Sequence, residues 1–422
     1  MGVFWLEELK VYGGNPLIGE LSVQGAKNSS LPLLAAAVLV KGKTVLHNCP
    51  RLRDVEIAFQ IMRHLGCIVK REDDTVEIDS TTISCSEIPE VLMGEMRSSI
   101  VFLGAIVART GMATVNFPGG CELGPRPIDL HLACLRQLGI LIDEHNGILD
   151  CSIDKLKGSK ITLSFPSVGA TENAILAACT AEGETIITNA AAEPEIVDLA
   201  CFLNRCGAKI YGAGEKTIVI QGVSRLQASE YRVIPDRIAL VTWLCAGAIT
   251  GGELLLKQIV PEHIEGVLPF LEQTGVKLLV DHHNIYLRST GKLNAMSAIR
   301  TMPYPGFPTD AQPMMMALAS KAAGTTVFVE NIFENRYKHA VELTKMGADI
   351  TLEGKVAVVE GVPTLSGARV RATDLRSGAA LVVAGLAAEG ITYISDPYHI
   401  DRGYEPIEET LCQLGAVMSR IK

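Results

Sequence analysis

The sequence predicts an α/β protein with two domains, built from six copies of one unit. Its length of 422 residues allows two or three domains at ~150 residues each. One glycine recurs at a spacing of about seventy residues, and an apolar segment of helical length precedes a second recurring glycine. Disorder is excluded because 48% of the residues are hydrophobic and only 20% are charged.

Two glycines punctuate each copy of the unit. The first opens a strand-like run, as in Gly42, Gly111, Gly183, Gly252, Gly324 and Gly390. The second ends a helix-like segment; the six are Gly66, Gly139, Gly207, Gly275, Gly347 and Gly415, separated by 73, 68, 68, 72 and 68 residues. Glycine is favoured just past a helix end because it adopts the left-handed backbone at little cost.

The elements of the unit follow in a fixed order. Segments such as LPLLAAAVLV (31–40) are apolar all round, which is typical of a buried helix. A strand follows, and then an amphipathic outer helix whose apolar residues fall at helical spacing, as Val55, Ala58, Phe59 and Met62 do. A hairpin closes the unit, with Asn146-Gly147 as one of its predicted turns.

The sixth copy ends at residue 422 after its first returning strand, and the strand-like stretch 9–23 is expected to complete it. Three copies per domain place repeats 1–3 in a domain of residues 26–232. Repeats 4–6 fall in a domain of residues 1–25 plus 233–422, with the active site expected in the cleft between the domains.

Composition excludes several classes of protein. The net charge of -9 argues against a nucleic-acid partner, and no apolar stretch reaches the ~20 residues of a membrane span. The first residues show no signal-peptide pattern, so we expect a cytoplasmic protein. The 11 cysteines form no CxxC pair, and neither disulfides nor a metal site is expected.

The second repeat carries an extra loop. Between its two glycines lie 28 residues, against 23 to 25 in the other copies, and the surplus falls in 118–127, where three glycines and three prolines occur. Cys121 lies in this loop near Arg126. A nearby cation lowers the pKa of a thiol, so the sequence indicates a reactive cysteine.

Cations stand at the start of four of the buried helices, where they oppose the helix dipole. Backbone N–H groups and cations together favour an anion, so these positions indicate phosphate or carboxylate binding. The four are Lys27, Arg97, Arg237 and Arg376, and Arg126, Arg336 and Arg402 follow strands in predicted loops. Asp310 stands at the start of the fifth buried helix, as either an N-cap or a general base.

Nine segments resemble the UDP-N-acetylglucosamine enolpyruvyl transferase family along essentially the whole chain. They are GAKNSSLP (25–32), MRSSI (96–100), PGGCELGPRPIDLH (118–131), SVGATEN (167–173), EPEIVD (193–198), FPTDAQ (307–312), FENRYKH (333–339), ATDLRSGAAL (372–381) and HIDRGYE (399–405). The resemblance implies two inside-out α/β barrel domains, each of three βαβαββ-like units.

The resemblance also implies roles for individual residues. Cys121 matches the proton donor to phosphoenolpyruvate, a cysteine that forms a covalent adduct and reacts with the epoxide fosfomycin; Asp310 matches the base at the sugar 3-hydroxyl. With Lys27 and Arg402 they form the implied catalytic set, and Arg336 and Arg376 support it. Phosphoenolpyruvate contacts match Lys27, Asn28, Arg126 and Arg402. Sugar-nucleotide contacts match Arg97, Arg126, Pro127, Ile128, Asp129, Leu130, Ser167, Val168, Gly169, Asp310 and Ile332.

The implied reaction transfers an enolpyruvyl group from phosphoenolpyruvate to UDP-N-acetylglucosamine without a cofactor, in peptidoglycan synthesis. One departure is Phe165, where some family members carry a basic residue before SVGAT. An alternative is 3-phosphoshikimate 1-carboxyvinyltransferase, against which the GAKN and PGGC motifs argue. Another is a non-catalytic nucleotide-sugar binding paralogue. The oligomeric state stays open.

Overall fold

The computed structural model describes residues 7–118 and 128–421. Contacts divide them into two units, which we name by their place in the chain. The central unit holds residues 25–118 and 128–234, and the terminal unit holds 7–24 and 235–421. Each unit has a hydrophobic core of its own.

The helices follow the predicted order of buried and outer segments. They are α1 (Lys27–Leu39), α2 (Arg53–His64), α3 (Glu90–Glu95), α4 (Phe102–Thr110), α5 (Asp129–Gln137), α6 (Val168–Ala178), α7 (Pro194–Arg205), α8 (Arg237–Thr250), α9 (Leu268–Gln273), α10 (Gln312–Ala319), α11 (Lys338–Lys345), α12 (Leu375–Leu386) and α13 (Ile407–Gln413). Short 3-10 helices span Arg97–Val101, Pro261–Ile264 and Pro397–Arg402. None of the helices in the described ranges is long and apolar enough to cross a membrane.

The strands are short, mostly of two to five residues. They are β1 (Glu8–Tyr12), β2 (Ile18–Ser22), β3 (Lys43–His47), β4 (Ile68–Glu72), β5 (Thr75–Asp79), β6 (Glu87–Ile88), β7 (Met112–Asn116), β8 (Leu141–His145), β9 (Ile148–Ser152), β10 (Lys160–Thr162), β11 (Glu184–Thr188), β12 (Lys209–Tyr211), β13 (Thr217–Gln221), β14 (Glu230–Arg232), β15 (Glu253–Lys257), β16 (Lys277–Val280), β17 (Asn284–Arg288), β18 (Leu293–Asn294), β19 (Ile299–Arg300), β20 (Ala322–Ala323), β21 (Thr325–Val329), β22 (Asp349–Glu353), β23 (Val356–Glu360), β24 (Leu365–Ser366), β25 (Arg369–Arg371), β26 (Ala388–Glu389), β27 (Ile391–Ser395) and β28 (Val417–Ile421).

The central unit places three apolar helices, α1, α4 and α6, inside three four-stranded sheets. The sheet orders are β14-β3-β5-β4, β6-β7-β9-β8 and β10-β11-β13-β12. Nearly every residue of α1 is buried, because a helix that is apolar on all sides is stable only in an interior. The outer helices α2, α5 and α7 bury one face each.

The terminal unit repeats this arrangement around α8, α10 and α12. Its four-stranded sheets have the orders β16-β17-β15-β2, β19-β21-β23-β22 and β25-β27-β1-β28, with two further two-stranded pairs, β18-β20 and β24-β26. Strand β1 pairs antiparallel with both β27 and β28. The prediction that the stretch 9–23 completes the sixth repeat is therefore confirmed for β1, whereas β2 pairs with β15 of the fourth repeat.

Two strands exchange places between repeats. In four repeats the strand before the buried helix pairs in parallel with the strand after it, as β10 does with β11. By that rule β2 would pair with β3 and β14 with β15; instead β14 pairs with β3 and β2 pairs with β15. Each of the two strands thus remains in its own unit, while the helix that follows it belongs to the other.

Backbone conformation explains the recurring glycines. Gly66 has φ 104°, and a Cβ there would lie 2.6 Å from the Ser84 hydroxyl oxygen, so the helix end requires glycine. The predicted turn at Asn146-Gly147 joins β8 to β9, with φ values of 50° and 77°. Positive φ at both residues is typical of a type I′ hairpin.

Candidate active site

The start of α1 places a buried cation in the central unit. Lys27 is the first residue of the helix, and its Nζ lies 2.6 Å from Asp54 Oδ2, with the two side chains 9% and 0% exposed. Ala26 occupies the N-cap and supplies no side-chain hydrogen bond. The positive end of the helix dipole and the ammonium therefore lie together, an arrangement that attracts anions.

Asn28, the next residue, is half-buried, and the residue after it anchors the helix start. Ser29 donates a short hydrogen bond to Asp198 Oδ2, and the Tyr231 hydroxyl donates to Asp198 Oδ1 at 2.7 Å. Asp198 lies on α7, so the start of α1 is tied to two other elements. Burial is the main cause that raises the pKa of Asp198 to about 6.

Further acidic side chains of the central unit are buried. Burial, with the charges of Glu195 and Glu193 adding to it, raises the pKa of Glu172 well above its ordinary value. The protonated carboxyl of Glu172 is therefore favoured. The buried residues Glu172 and Glu195 lie within SVGATEN and EPEIVD, but nothing in the spacing of these acids predicts their burial.

The predicted sugar-nucleotide residues of the central unit lie at the starts of helices. Ser167 caps α6, its hydroxyl accepting from the Ala170 N–H at 3.4 Å, and Val168 and Gly169 form the first turn. Arg97 begins the 3-10 helix before α4, as expected. Ile128 is buried, Asp129 is the exposed first residue of α5, and Leu130 is half-buried.

A neutral histidine supports the first turn of α6, and sequence reasoning missed it. Asn173 Oδ1 accepts from the Gly104 N–H at 2.7 Å, so its Nδ2 is the donor to His131 Nδ1 at 2.8 Å. The proton of His131 must then lie on Nε2. Burial, together with the charge of Arg97, lowers the pKa of His131 to about 4. A Cβ on Gly169 would lie 2.8 Å from His131 Cε1, so helix and ring are in close contact.

In the terminal unit, Asp310 lies between two buried guanidiniums. Its Oδ1 is 3.4 Å from an Arg336 nitrogen and its Oδ2 is 3.3 Å from Arg376 Nε. The arginine side chains are 1% and 2% exposed and the carboxylate 29%, so solvent reaches the acid but not the cations. The N-cap interpretation of Asp310 is wrong, because α10 begins at Gln312 and Ala311 is its N-cap.

True acidic caps precede two other helices of the terminal unit. Asp236 accepts from two backbone N–H groups at the start of α8, and Asp374 does the same for α12. Each cap precedes one of the predicted cations: Asp236 is the residue before Arg237, and Asp374 lies two residues before Arg376. Arg237 and Arg376 therefore lie at helix starts where an acidic cap already accepts from two backbone N–H groups. The sequence motifs did not reveal this feature.

A hydroxyl network extends the same cluster. Arg376 donates to the Tyr404 hydroxyl at 3.1 Å, and that hydroxyl lies 2.8 Å from Thr242 Oγ1 on α8. The second terminal nitrogen of Arg376 is buried and has no hydrogen-bond partner among the described residues. A guanidinium N–H that has no partner among the described residues can donate a hydrogen bond to an anionic oxygen.

Two further predicted residues belong to the terminal unit. Ile332 is half-buried after β21, and its N–H donates to Glu330 Oε1 at 2.8 Å. Arg402 was expected in a loop but is the last residue of the 3-10 helix Pro397–Arg402, and it is half-buried. Arg336 does lie in a turn, two residues before α11 begins at Lys338.

Three predicted residues, Cys121, Arg126 and Pro127, lie outside the described residues. The remaining ones fall into two sets. The central unit carries Lys27, Asn28, Arg97, Ile128, Asp129, Leu130, Ser167, Val168 and Gly169. The terminal unit carries Asp310, Ile332, Arg336, Arg376 and Arg402. The first set offers cations and N–H donors at helix starts, which can bind an anion. The second set offers a carboxylate between two guanidiniums.

The sequence is similar to known enolpyruvyl transferases. Residues 11–411 match the family model described as EPSP synthase (3-phosphoshikimate 1-carboxyvinyltransferase). UDP-N-acetylglucosamine 1-carboxyvinyltransferase 2 of Caldanaerobacter subterraneus subsp. tengcongensis is 50% identical, covering 98% of this chain and 99% of the relative. UDP-N-acetylglucosamine 1-carboxyvinyltransferase 1 of Symbiobacterium thermophilum is 49% identical, covering 98% and 95%.

Solved structures share the fold. The enolpyruvyl transferase NikO from Streptomyces tendae matches with a TM-score of 0.89 and 27% identity, covering 98% of this chain and 99% of that one. EPSP synthase from Acinetobacter baumannii matches with a TM-score of 0.79 over 99% and 100% of the two chains. Its identity of 21% supports the fold alone.

Proposed function

The chain belongs to the EPSP synthase family of enolpyruvyl transferases, and we propose that it transfers the enolpyruvyl group of phosphoenolpyruvate to the 3-hydroxyl of UDP-N-acetylglucosamine. Phosphate is released, and the reaction is the first committed step of peptidoglycan synthesis. One observation carries this function: relatives named UDP-N-acetylglucosamine 1-carboxyvinyltransferase are 45% to 50% identical over nearly the whole chain.

The chemistry requires two proton transfers before phosphate leaves. The sugar oxygen forms a bond to C2 of phosphoenolpyruvate and loses its proton to a base, while the methylene carbon C3 gains a proton from an acid. The tetrahedral adduct then returns a proton from C3 to the conjugate base of that acid and expels phosphate, which restores the double bond and regenerates the acid. Atoms and electrons balance without an oxidant or a metal.

Asp310 is the base in this proposal. It is the partly exposed acid of a cluster with two buried guanidiniums, and a carboxylate can accept a proton from a hydroxyl. If a guanidinium turns to the phosphate of the substrate, the carboxylate loses a counter-charge and becomes a stronger base. The terminal nitrogen of Arg376 that finds no hydrogen-bond partner in residues 7–118 and 128–421 supports such a double role.

Phosphoenolpyruvate is an anion, so its proposed contacts are mostly cationic side chains. Lys27, held by Asp54 at the uncapped start of α1, supports a phosphate or carboxylate contact. Arg402, Arg126 and Asn28 complete the proposed phosphoenolpyruvate contacts. Donors fixed before the reaction stabilise the developing charge of the leaving phosphate without further reorganisation.

Cys121 is the proposed acid that protonates C3. The sequence around it, residues 118–127, is rich in glycine and proline, which supports the predicted loop and a role for it as a lid that excludes water from the adduct. The proposed sugar-nucleotide contacts are Arg97, residues 126–130, residues 167–169, Asp310 and Ile332. We propose that the two units are the predicted barrel domains. We also propose a cytoplasmic location, since both substrates are polyanions that do not cross a membrane unaided.

Acceptor-dependent phosphate release tests the function. We expect phosphate to appear from phosphoenolpyruvate when UDP-N-acetylglucosamine is added, with no metal required, and not when shikimate 3-phosphate is added instead. Release only with shikimate 3-phosphate would support the second candidate, which the description of the matching family model favours. Binding of the nucleotide sugar without release of phosphate would indicate a non-catalytic paralogue.

A further inference from the structure

Arg420, on the last strand of the chain, binds three carboxylates at once. Its two terminal nitrogens lie 2.8 Å and 2.7 Å from the two oxygens of Asp401. Its Nε and one terminal nitrogen lie 2.7 Å and 3.2 Å from the oxygens of Glu408, and Glu7 approaches to 3.5 Å. Two parallel N–H donors to one carboxylate form the strongest and most directional geometry that arginine offers.

This cluster is partly shielded from solvent. The side chains of Arg420, Asp401 and Glu408 are 22%, 31% and 16% exposed. Hydrogen bonds from Arg420 to Asp401 and Glu408 raise the pKa of the guanidinium above its ordinary value. An exposed ion pair contributes little to stability, whereas a shielded network with bidentate geometry holds its members in place.

Asp401 directly precedes Arg402 in the 3-10 helix Pro397–Arg402. A helix of this type has weaker hydrogen-bond geometry than an α-helix and depends more on external contacts. Arg371 Nε binds the carboxylate of Asp396, just before the helix, at 2.5 Å. Both ends of the segment are therefore held by arginines of one sheet, on its two edge strands β25 and β28.

We propose that Arg420 is a positioning residue for phosphoenolpyruvate. By binding Asp401 bidentately, it fixes the end of the 3-10 helix and with it the backbone of Arg402. This inference rests on the proposed function, in which Arg402 contacts phosphoenolpyruvate. Arg420 does not touch substrate and acts only through Asp401.

The single variants are Arg420→Gln, Arg420→Lys and Asp401→Asn. The double variant combines Arg420→Gln with Asp401→Asn. Arg420→Lys keeps the charge but cannot bind Asp401 and Glu408 in the same bidentate manner. The matched control is Arg369→Gln. Arg369 lies on β25 of the same sheet and pairs with Glu8 at 2.9 Å, but its partner is not in the 3-10 helix.

Two readouts are needed. Hydrogen exchange of residues 397–404 reports order directly, because the N–H groups of Gly403 and Tyr404 bond to Ile400 O at 3.0 Å and 3.1 Å. Phosphate release reports KM for each substrate. We expect Arg420→Gln to accelerate exchange and to raise KM for phosphoenolpyruvate about tenfold, the effect of one lost positioning contact, with KM for the nucleotide sugar unchanged. Arg420→Lys should fall between wild type and Arg420→Gln.

The double variant should be no worse than the worse single variant, since both remove one contact. Additive losses, equal rises of both KM values, or values no different from Arg369→Gln would overturn the inference. Faster exchange without a change in KM would also overturn it, leaving a structural role only. If Arg420→Gln does not fold, Asp401→Asn carries the same comparison. A wild-type protein that releases no phosphate contradicts the proposed function instead, whatever the exchange data show.

Discussion

The two units use cations at buried-helix starts in different ways. In the central unit, Lys27 opens α1 without a side-chain cap and lies 2.6 Å from the buried carboxylate of Asp54. In the terminal unit, Arg237 and Arg376 follow acidic caps that already accept from the backbone of α8 and α12. Arg376 also contacts the carboxylate of Asp310 at 3.3 Å and the hydroxyl of Tyr404 at 3.1 Å.

This difference separates binding from positioning. At a helix start without a side-chain cap, the helix dipole adds to the attraction of a cation for an anion, whereas a side-chain cap already accepts from the backbone donors there. Lys27 is therefore suited to bind a phosphate or carboxylate directly. Arg376 is suited to hold Asp310 in place. Similar sequence patterns at the starts of repeated helices thus serve different purposes in the two units.

Replacing Lys27, the cation at the helix start without a side-chain cap, should cause the largest loss of activity. We expect Lys27→Gln to lower kcat/KM for phosphoenolpyruvate by about 10³-fold, the upper range for loss of one preorganised electrostatic contact. Arg237→Gln, at a capped helix start, should lower it by tenfold or less. Steady-state kinetics of both variants, with circular dichroism as a check on folding, measure the contrast. Equal losses would remove the distinction between the units.

Removing the charge of Asp310 should act on turnover. We expect Asp310→Asn to lower kcat by about 10²-fold, within the usual range for loss of a general base, with little change in affinity for UDP-N-acetylglucosamine. Asp374→Asn is the matched control, because Asp374 caps α12 and lies 3.7 Å from Arg336. Turnover and calorimetric binding separate the two effects. A variant that only binds more weakly would make Asp310 a positioning group.

Adding a methyl group to the first turn of α6 should affect the nucleotide sugar alone. We expect Gly169→Ala to raise KM for UDP-N-acetylglucosamine about tenfold, because the new Cβ would lie 2.8 Å from His131 and must displace the ring. KM for phosphoenolpyruvate should not change. Gly94→Ala, where no atom lies within 4 Å of the new Cβ, is the control. Unchanged affinity would place the nucleotide away from this turn.

Acid should destabilise the terminal unit more than the central unit. Of the predicted effects, this difference is the smallest. Burial lowers the pKa of His131 to about 4 and that of His339 to about 3. Since the unfolded histidines take up protons below about 6.5 and the folded ones do not, both units lose stability as pH falls through this range. In the central unit, the pKa of Asp198 is raised to about 6, and proton uptake by the folded carboxyl offsets that loss.

Hydrogen exchange at pH 6.5 and at about pH 4, corrected for intrinsic rates, measures this difference. We expect residues 235–421 to lose more protection than residues 25–118 and 128–234, by on the order of 1 kcal/mol. His339→Asn should reduce the difference. A larger loss in the central unit would show that its buried acids do not compensate.

The repeated architecture could be predicted because glycine leaves a local signal. A helix end that requires left-handed backbone selects glycine, and six such ends at regular spacing revealed the unit, as Gly66 and Gly139 illustrate. The exchange of β2 and β14 between repeats could not be predicted in this way. Strand pairing is decided by tertiary contacts, and a strand three to five residues long carries little sign of its partner.

In the candidate site, too, residues with a local sequence signal could be predicted, whereas partners that only the fold brings together could not. Lys27 and Asp310 were found from their places at helix starts and from the family motifs. Their partners Asp54 and Arg336 were not paired with them in advance, because they lie 27 and 26 residues away and only the fold joins them. His131 was missed as a support of α6, since its role depends on the amide orientation of Asn173.

The most direct test of the central claim is the structure of the reaction product. After incubation of the protein with phosphoenolpyruvate and UDP-N-acetylglucosamine, mass spectrometry and NMR identify the acceptor and the atom that carries the new group. We predict UDP-N-acetylglucosamine with one enolpyruvyl group on its 3-oxygen and one phosphate released per product. An unmodified nucleotide sugar, or an enolpyruvyl group found only on shikimate 3-phosphate when both acceptors are present, would contradict the account.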